Sequence, residues 1–457
     1  MRIHILAASV ILAVSCTGPA FAADDIQSLK KELNNLKQDY RQRIQALEDR
    51  LEKAENNARM ANAKASQIEE KVQEEGGAGT ASSSQNSFNP AISLVLDGRY
   101  AGFDNEPGAY KIPGFALGGE AGPGEEGFAI GETELSASAN VDDKFYGQVT
   151  LAIGDEDGST EVGLEEAFIQ TLGLGNGLTV KAGRFFSAIG YLNQQHAHAW
   201  DFTDAPLIYR GLFGNKLIDD GLQITYIAPT DIFLEFGAEA FRGSRYPAGG
   251  DHDDIGSWTA FANVGGDIGI EHSWQLGLSH WQADNVDGRI SDSGAAEPSS
   301  FTGDSKINAL NLVYKWAPNG NPYNRNLKVQ FEYFDRREDG RVVVLDSDPS
   351  EITGYDGNQK GWYAQMVYQF MPQWRTGLRY DRLSSDNTGS DNELLAAAGL
   401  DDQGHTPQRY SAMVEWLPSE FSRIRLQFNR DDSYDDSDNQ IFLQYTHSLG
   451  SHGAHQY

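Results

Sequence analysis

His196-Ala197-His198, followed by Asp201, is the stretch of this sequence best suited to hold a metal ion. Neutral imidazoles and a carboxylate suit zinc, and a loop can bend three side chains toward one point. Exposed histidines with no ligand role are the competing reading. His252 beside Asp253, and His452 with His455, are weaker candidates of the same kind. No cofactor is required; Zn2+ or another divalent cation at loops is the guest these residues suggest. Other chemical signals fail on inspection. Gly122-Pro123-Gly124-Glu125-Glu126-Gly127 has dinucleotide-binding spacing, but no helix follows and glutamate stands where phosphate would sit. Asp431 to Phe442 is as acidic as a calcium loop but lacks glycine at its sixth place and glutamate at its twelfth. Ser279 and His280 are adjacent on a strand and face opposite sides, so they cannot form a catalytic pair. The chain does not read as an enzyme.

The segments that would carry these residues differ sharply in composition. Residues 1–22 read as a signal peptide: Met1-Arg2, an apolar run from Ile5 to Val14, and Ala20-Phe21-Ala22 at the cleavage point. The single cysteine, Cys16, lies inside it, so the mature protein is expected to lack thiols. Acylation of Cys16 is the alternative, disfavoured by Ala13-Val14-Ser15 before it. Residues 24–75 contain no glycine or proline and repeat apolar or small residues in steps of three and four, which gives a periplasmic coiled coil over 23–75. Leu36, Tyr40 and Ile44 mark a stutter in it. A helix exposing that seam should self-associate; a single helix lying on another protein is the alternative. Residues 76–90, opening with Gly76-Gly77-Ala78-Gly79, form a flexible linker.

From Ala91 the period changes to two. Ile424, Leu426 and Phe428 alternate with Arg423, Arg425, Gln427 and Asn429, and Trp362, Ala364, Met366, Tyr368 and Phe370 make an apolar face on another segment. Trp362 to Phe370 spans about 26 Å, enough for an apolar band edged by aromatic residues. A mean hydropathy of -0.49 is compatible with this, because only one face of each strand meets lipid. Strands are expected near 91–103, 127–139, 144–154, 162–173, 178–186, 221–228, 232–241, 257–265, 272–283, 305–316, 326–336, 360–370, 373–382, 408–417, 421–430 and 439–449, sixteen in all. The stretch 127–139 is the weakest, with Glu132 and Glu134 on one face. Short turns such as Asn140–Asp143 alternate with long loops at 104–126, 187–220, 284–304, 337–359 and 383–407. The expected fold is an all-β transmembrane barrel of about sixteen antiparallel strands over 91–457, with both termini in the periplasm. Tyr457 shares the parity of Ile441, Leu443 and Tyr445, so the last strand could reach the C-terminus.

The coiled coil, the Gly/Ser linker, Val162-Gly163-Leu164-Glu165-Glu166-Ala167-Phe168, Leu178 to Phe185 and the long loop after it resemble the phosphate-selective type of sixteen-stranded porins. Gln194 to Asp201 and Ser448 to His455 are similar to porin-like proteins labelled zinc-regulated TonB-dependent outer-membrane receptors. The second resemblance implies a role in zinc uptake. It also implies a plug and about 22 strands, for which this chain has no room. The first implies a trimer with a third loop that narrows the pore, so 187–220 is where selectivity is expected to be set. That loop offers Arg210 and Lys216 against Asp201, Asp204, Asp219 and Asp220, which departs from a phosphate pattern.

The chain carries 66 Asp and Glu against 36 Lys and Arg, a formal net charge of -30. Nucleic acid would be repelled and cations concentrated at an acidic mouth. Acidic loops that merely keep the surface soluble, or bind the divalent ions bridging lipopolysaccharide, are the alternative. Parity selects Lys181, Lys328, Glu332, Arg375, Arg379, Arg423 and Arg425 as pore-lining. The expected function is a diffusion channel for small hydrophilic solutes or ions in the bacterial outer membrane, embedded in its lipid and lipopolysaccharide. A zinc-binding receptor and a structural tether to the cell wall are the competing functions.

Overall fold

A computed structural model describes residues 90–450 except 157–158, 251, 346–350 and 435. The expected signal peptide, the coiled coil and all but the last residue of the linker lie outside the described residues, as do Asp251, His452, His455 and Tyr457.

Antiparallel strands close on themselves into one barrel. They are β1 (Ala91–Gly102), β2 (Gly127–Ile130), β3 (Thr133–Asn140), β4 (Phe145–Glu156), β5 (Ser159–Thr171), β6 (Leu178–Phe186), β7 (Ile218–Ile227), β8 (Phe233–Phe241) and β9 (Ser257–Ile268). The circuit continues through β10 (His272–Ser291), β11 (Ser299–Trp316), β12 (Asn326–Val344), β13 (Ile352–Met371), β14 (Trp374–Gly389), β15 (Gln408–Ser419), β16 (Ser422–Asp432) and β17 (Asp438–Gly450). From β3 to β17 each pairs with the next, and β17 returns to β1 with Tyr100 opposite Leu443. Both β2 and β3 pair with β1, so they are two lengths of one wall strand interrupted at Gly131 and Glu132, and the wall has sixteen strands. The Gly131 amide still donates to the Asp97 carbonyl across the break at 2.8 Å.

Alternation decides what faces out. Leu426 is 46% exposed while its neighbour Gln427 is fully buried, and Ile441, Leu443 and Tyr445 repeat the pattern on β17. Outward rings of Phe331, Trp362, Tyr380 and Tyr410 run across four neighbouring strands with centroids 4.7 to 5.9 Å apart, and Trp374 stacks on Trp416 near the short turns. Two aromatic tiers therefore bound an apolar band. Among the described residues no helix is long and apolar enough to cross a membrane, which says nothing of strands.

The wall is uneven. β10 to β13 have 20, 18, 19 and 20 residues, about 60 Å each, whereas β3 to β9 have 8 to 13. This corrects three expected loops, 284–304, 337–359 and 383–407: β10 runs to Ser291 and β11 starts at Ser299, β12 runs to Val344 and β13 starts at Ile352, and β14 runs to Gly389. Beyond the aromatic tier the outward residues Arg337, Asp339 and Arg341 need not be apolar, so the two-residue signature fades although the ladder continues. At the long-loop end, segments 103–126 and 187–217 turn into the lumen. Phe115 and Leu117 of the first pack with Leu207, Ile208, Leu212 and Phe213 of helix α1 (Leu207–Phe213) against Trp281, Phe334 and Tyr363 of the tall wall. Helix α2 (Asn392–Ala397) lies in the loop after β14.

Candidate functional site

The segment 187–217 joins β6 to β7 and crosses the lumen. Its path is fixed by carboxylates of the wall that accept from its backbone. Glu239 accepts the Ala188 amide at 2.8 Å, and Glu332 accepts the amides of Tyr191 and Leu192 at 2.8 and 3.0 Å. Glu332 also accepts from the Tyr209 hydroxyl at 3.0 Å. Asp381 accepts the Leu207 amide at 2.9 Å where α1 begins, and Gly214, left-handed at φ 59°, ends that helix. Buried amides that would otherwise lack partners thus bind wall carboxylates in place of water.

Two charge clusters then fasten the segment to separate stretches of wall. The first is acidic. Glu134 of β3 bridges both histidines: its carboxylate lies 2.7 Å from His198 Nδ1 and 3.0 Å from His196 Nδ1. Glu165 lies 3.1 Å from His196 Nδ1, and Glu166 lies 3.1 Å from its Nε2. Lys216 Nζ reaches Glu165 at 2.8 Å and also pairs with Glu132. A β-bulge makes this possible. Thr150 pairs with Glu166 but Leu151 with Leu164, so Glu165 is the extra residue and two consecutive glutamates turn inward. Burial alone would lower the His196 pKa, but its bonds to Glu134, Glu165 and Glu166 outweigh that and hold it well above the usual imidazole range. Lys216, likewise disfavoured by burial, is held above the usual ammonium range by Glu132 and Glu165.

The second cluster is basic. Asp204 meets Arg379 at 2.7 Å, Arg409 at 2.8 Å and Arg210 at 3.3 Å, and accepts from Gln427 and Asn429 at 2.7 and 3.0 Å. Asp201 meets Lys328 at 3.0 Å and Arg375 at 3.6 Å. Burial would raise both carboxyls, yet the cations hold them below the usual carboxylate range: Lys328 and Arg375 for Asp201, Arg409 and Arg379 for Asp204. Arg425 donates to the Trp200 carbonyl at 2.8 Å and Arg423 to that of His198 at 2.5 Å.

Sequence proximity placed Asp201 with His196 and His198. The chain instead makes a 3-10 turn over Ala197–Ala199, and beyond it Asp201 meets the basic wall while the imidazoles meet Glu134. His252 Nε2 lies 3.1 Å from the Gly249 carbonyl, and Asp253 is exposed, outside any cluster of three metal-binding side chains among the described residues. Lys181, Lys328, Glu332, Arg375, Arg379, Arg423 and Arg425 all point inward. Glu332, Arg379, Arg423 and Arg425 are covered by the crossing segment, whereas Lys181, Lys328 and Arg375 keep partial exposure. Glu134, Glu165, Glu166, Asp204 and Arg409 were not singled out from the sequence as site residues. The available signal was the pair Glu132 and Glu134 on one face of a strand, where a lipid- or core-facing residue would not be acidic.

No protein-family model matches the chain. Among solved structures, the loop L8 deletion mutant of OmpT, an outer membrane protein of Vibrio cholerae, is similar over 79% of this chain and 99% of its own, at 12% identity and a TM-score of 0.49. The outer membrane channel DcaP of Acinetobacter baumannii is similar over 79% of this chain and 96% of its own, at 13% identity and a TM-score of 0.46. An uncharacterized protein of Aquifex aeolicus (strain VF5) is 32% identical over 400 residues, covering 82% of this chain and 81% of that protein. With that identity over that length, this chain belongs to the same family as the Aquifex aeolicus protein.

Proposed function

We propose that the chain is a porin-like channel of the bacterial outer membrane, passing small hydrophilic solutes or ions through a lumen narrowed by residues 187–217. One observation carries the reading: a closed barrel with an apolar outer band and charged side chains on its inner face is crossed by a segment tied by salt bridges to β3 and β14. An apolar band between aromatic tiers fits a bilayer, and closure leaves no sheet edge unpaired within it. The long-loop end then faces outward into lipopolysaccharide. There Asp104, Glu106, Glu125, Asp253 and Asp401 are exposed, which supports a cation-favouring mouth. Within the bore, Lys181, Lys328 and Arg375 are the candidate residues that retain contact with water.

A trimer is the proposed assembly. The outward face of β3 to β6 carries Ala137, Ala139, Gly147, Ala167 and Ala182 around a shallow apolar groove, where close approach of a second copy is sterically easy. Reversal potential across a planar bilayer under a salt gradient tests the function. The proposal expects discrete conductance steps with a cation-selective sign; absence of conductance from folded protein rejects the channel, and anion selectivity rejects the cation-favouring mouth.

A further inference from the structure

The acidic cluster has the composition of a transition-metal site. We propose that Glu134, His196 and His198 bind one divalent transition-metal ion, zinc being the ion their chemistry suits best, at the point where the crossing segment meets β3 and β5. The proposal does not rest on ion conduction, because it concerns binding to the folded chain.

The donors are already gathered. One ligand atom each from Glu134, His196 and His198 lies within 4.8 Å of the others. Both Nδ1 atoms point at the same carboxylate, at 2.7 and 3.0 Å, so an ion with bonds of about 2.0–2.2 Å fits after small side-chain shifts. Two imidazoles and one carboxylate form a ligand set known for zinc, with a fourth position left for water. The surroundings are those a bound imidazole needs. Glu166 lies on the opposite ring nitrogen of His196, Nε2, at 3.1 Å, which orients the ring so that Nδ1 faces Glu134 and Glu165 at 3.0 and 3.1 Å. The two imidazoles stack with centroids 5.5 Å apart, and Phe186 packs edge-on to His196 at 5.1 Å.

Charge points the same way. Glu132, Glu134, Glu165 and Glu166 outnumber the permanent cations near them among the described residues, Lys216 paired with Glu132 and Glu165 and Lys181 within electrostatic reach of Glu166, so with neutral imidazoles the cluster holds a surplus of negative charge. A divalent ion offsets most of it. Glu134 and His198 are almost wholly buried, but the His196 side chain keeps 21% exposure, so an ion can arrive from the lumen. Softer N-donor coordination favours zinc, cobalt or nickel over magnesium or calcium.

The test uses full-length protein folded in detergent, titrated with Zn2+ by equilibrium dialysis and with Co2+ by its visible spectrum. The expected result is one ion per chain and a Co2+ spectrum of low-coordinate nitrogen and oxygen ligation. Glu134→Gln and His198→Gln should each weaken binding at least tenfold, Glu166→Gln by about 10- to 100-fold through loss of ring orientation. Asp201→Asn and His252→Ala should leave binding unchanged. Binding no tighter than about millimolar overturns the proposal, as does binding unaffected by Glu134→Gln or equal affinity for Mg2+. If Glu134→Gln or His198→Gln does not fold, the wild-type Co2+ spectrum decides, and six-coordinate oxygen ligation counts against the site.

Discussion

Within nine residues, His196 to Asp204, the same loop segment is held in two opposite ways. At His196 and His198 it brings imidazoles to a wall of glutamates; at Asp201 and Asp204 it brings carboxylates to a wall of lysine and arginines. Each anchor is compensated locally: the histidines meet the glutamates of β3 and β5, and the aspartates meet Lys328, Arg375, Arg379 and Arg409 of β12, β14 and β15, among which Glu332, Asp381 and Glu415 are also buried. The difference lies in permanence. Aspartate facing several guanidinium groups stays charged through the physiological range, whereas the acidic anchor depends on imidazoles that can lose a proton or take a metal ion. The loop thus has one fixed and one adjustable attachment.

The fixed anchor should show the largest effect when broken. Asp204→Ala leaves Arg379, Arg409 and Arg210 buried without their shared partner and should cost about 3–5 kcal/mol in the opening free energy of residues 200–213, read by hydrogen exchange. A cost under about 1 kcal/mol would mean the cluster is hydrated and not a true anchor. The outer wall supplies a control of similar size: Leu426→Arg should destabilise the barrel by about 2–4 kcal/mol in vesicle unfolding if it lies at mid-membrane. Gln427→Ala, one residue away and inward, should instead loosen the Asp204 cluster and leave lipid contact intact.

pH should separate the two anchors, measured on metal-free protein. His196 has its folded pKa raised, so its contribution is complete below the unfolded value of about 6.5 and is lost as pH rises through the higher folded value. Asp201 and Asp204 have theirs lowered, so their contribution holds above about 3.9 and is lost only as pH falls through the lower folded values. Exchange at residues 196–199 should therefore quicken in alkali while residues 201–207 stay protected; simultaneous release of both would show that the loop moves as one unit. The smallest effect belongs to His252→Ala, which removes one hydrogen bond and should cost about 0.5–1.5 kcal/mol without altering either anchor.

The wall was legible in the sequence because its outward face carries an apolar residue at every second position; all sixteen expected strands have counterparts here. The signal weakened wherever that constraint stops. β12 runs on past Arg336 to Val344 with charged outward residues, and Gly131 interrupts a strand that Glu132 and Glu134 already made look irregular. The site was legible only in part. His196 and His198 stood out by type and spacing, but their partner Glu134 is more than sixty residues away and Glu165 turns inward only through a bulge that strict alternation does not foresee. Asp201 was grouped with the histidines because it is near in sequence, and the turn at Ala197–Ala199 and the pull of Lys328 separate them.

The central claim is that residues 187–217 narrow a conducting lumen. Single-channel conductance of the wild type should be compared with that of a chain in which residues 194–213 are replaced by a short Gly/Ser link. The account predicts that both conduct and that the shortened chain shows a several-fold larger step. Equal conductance would contradict the role given to the loop, and silence from both folded proteins would contradict the channel itself.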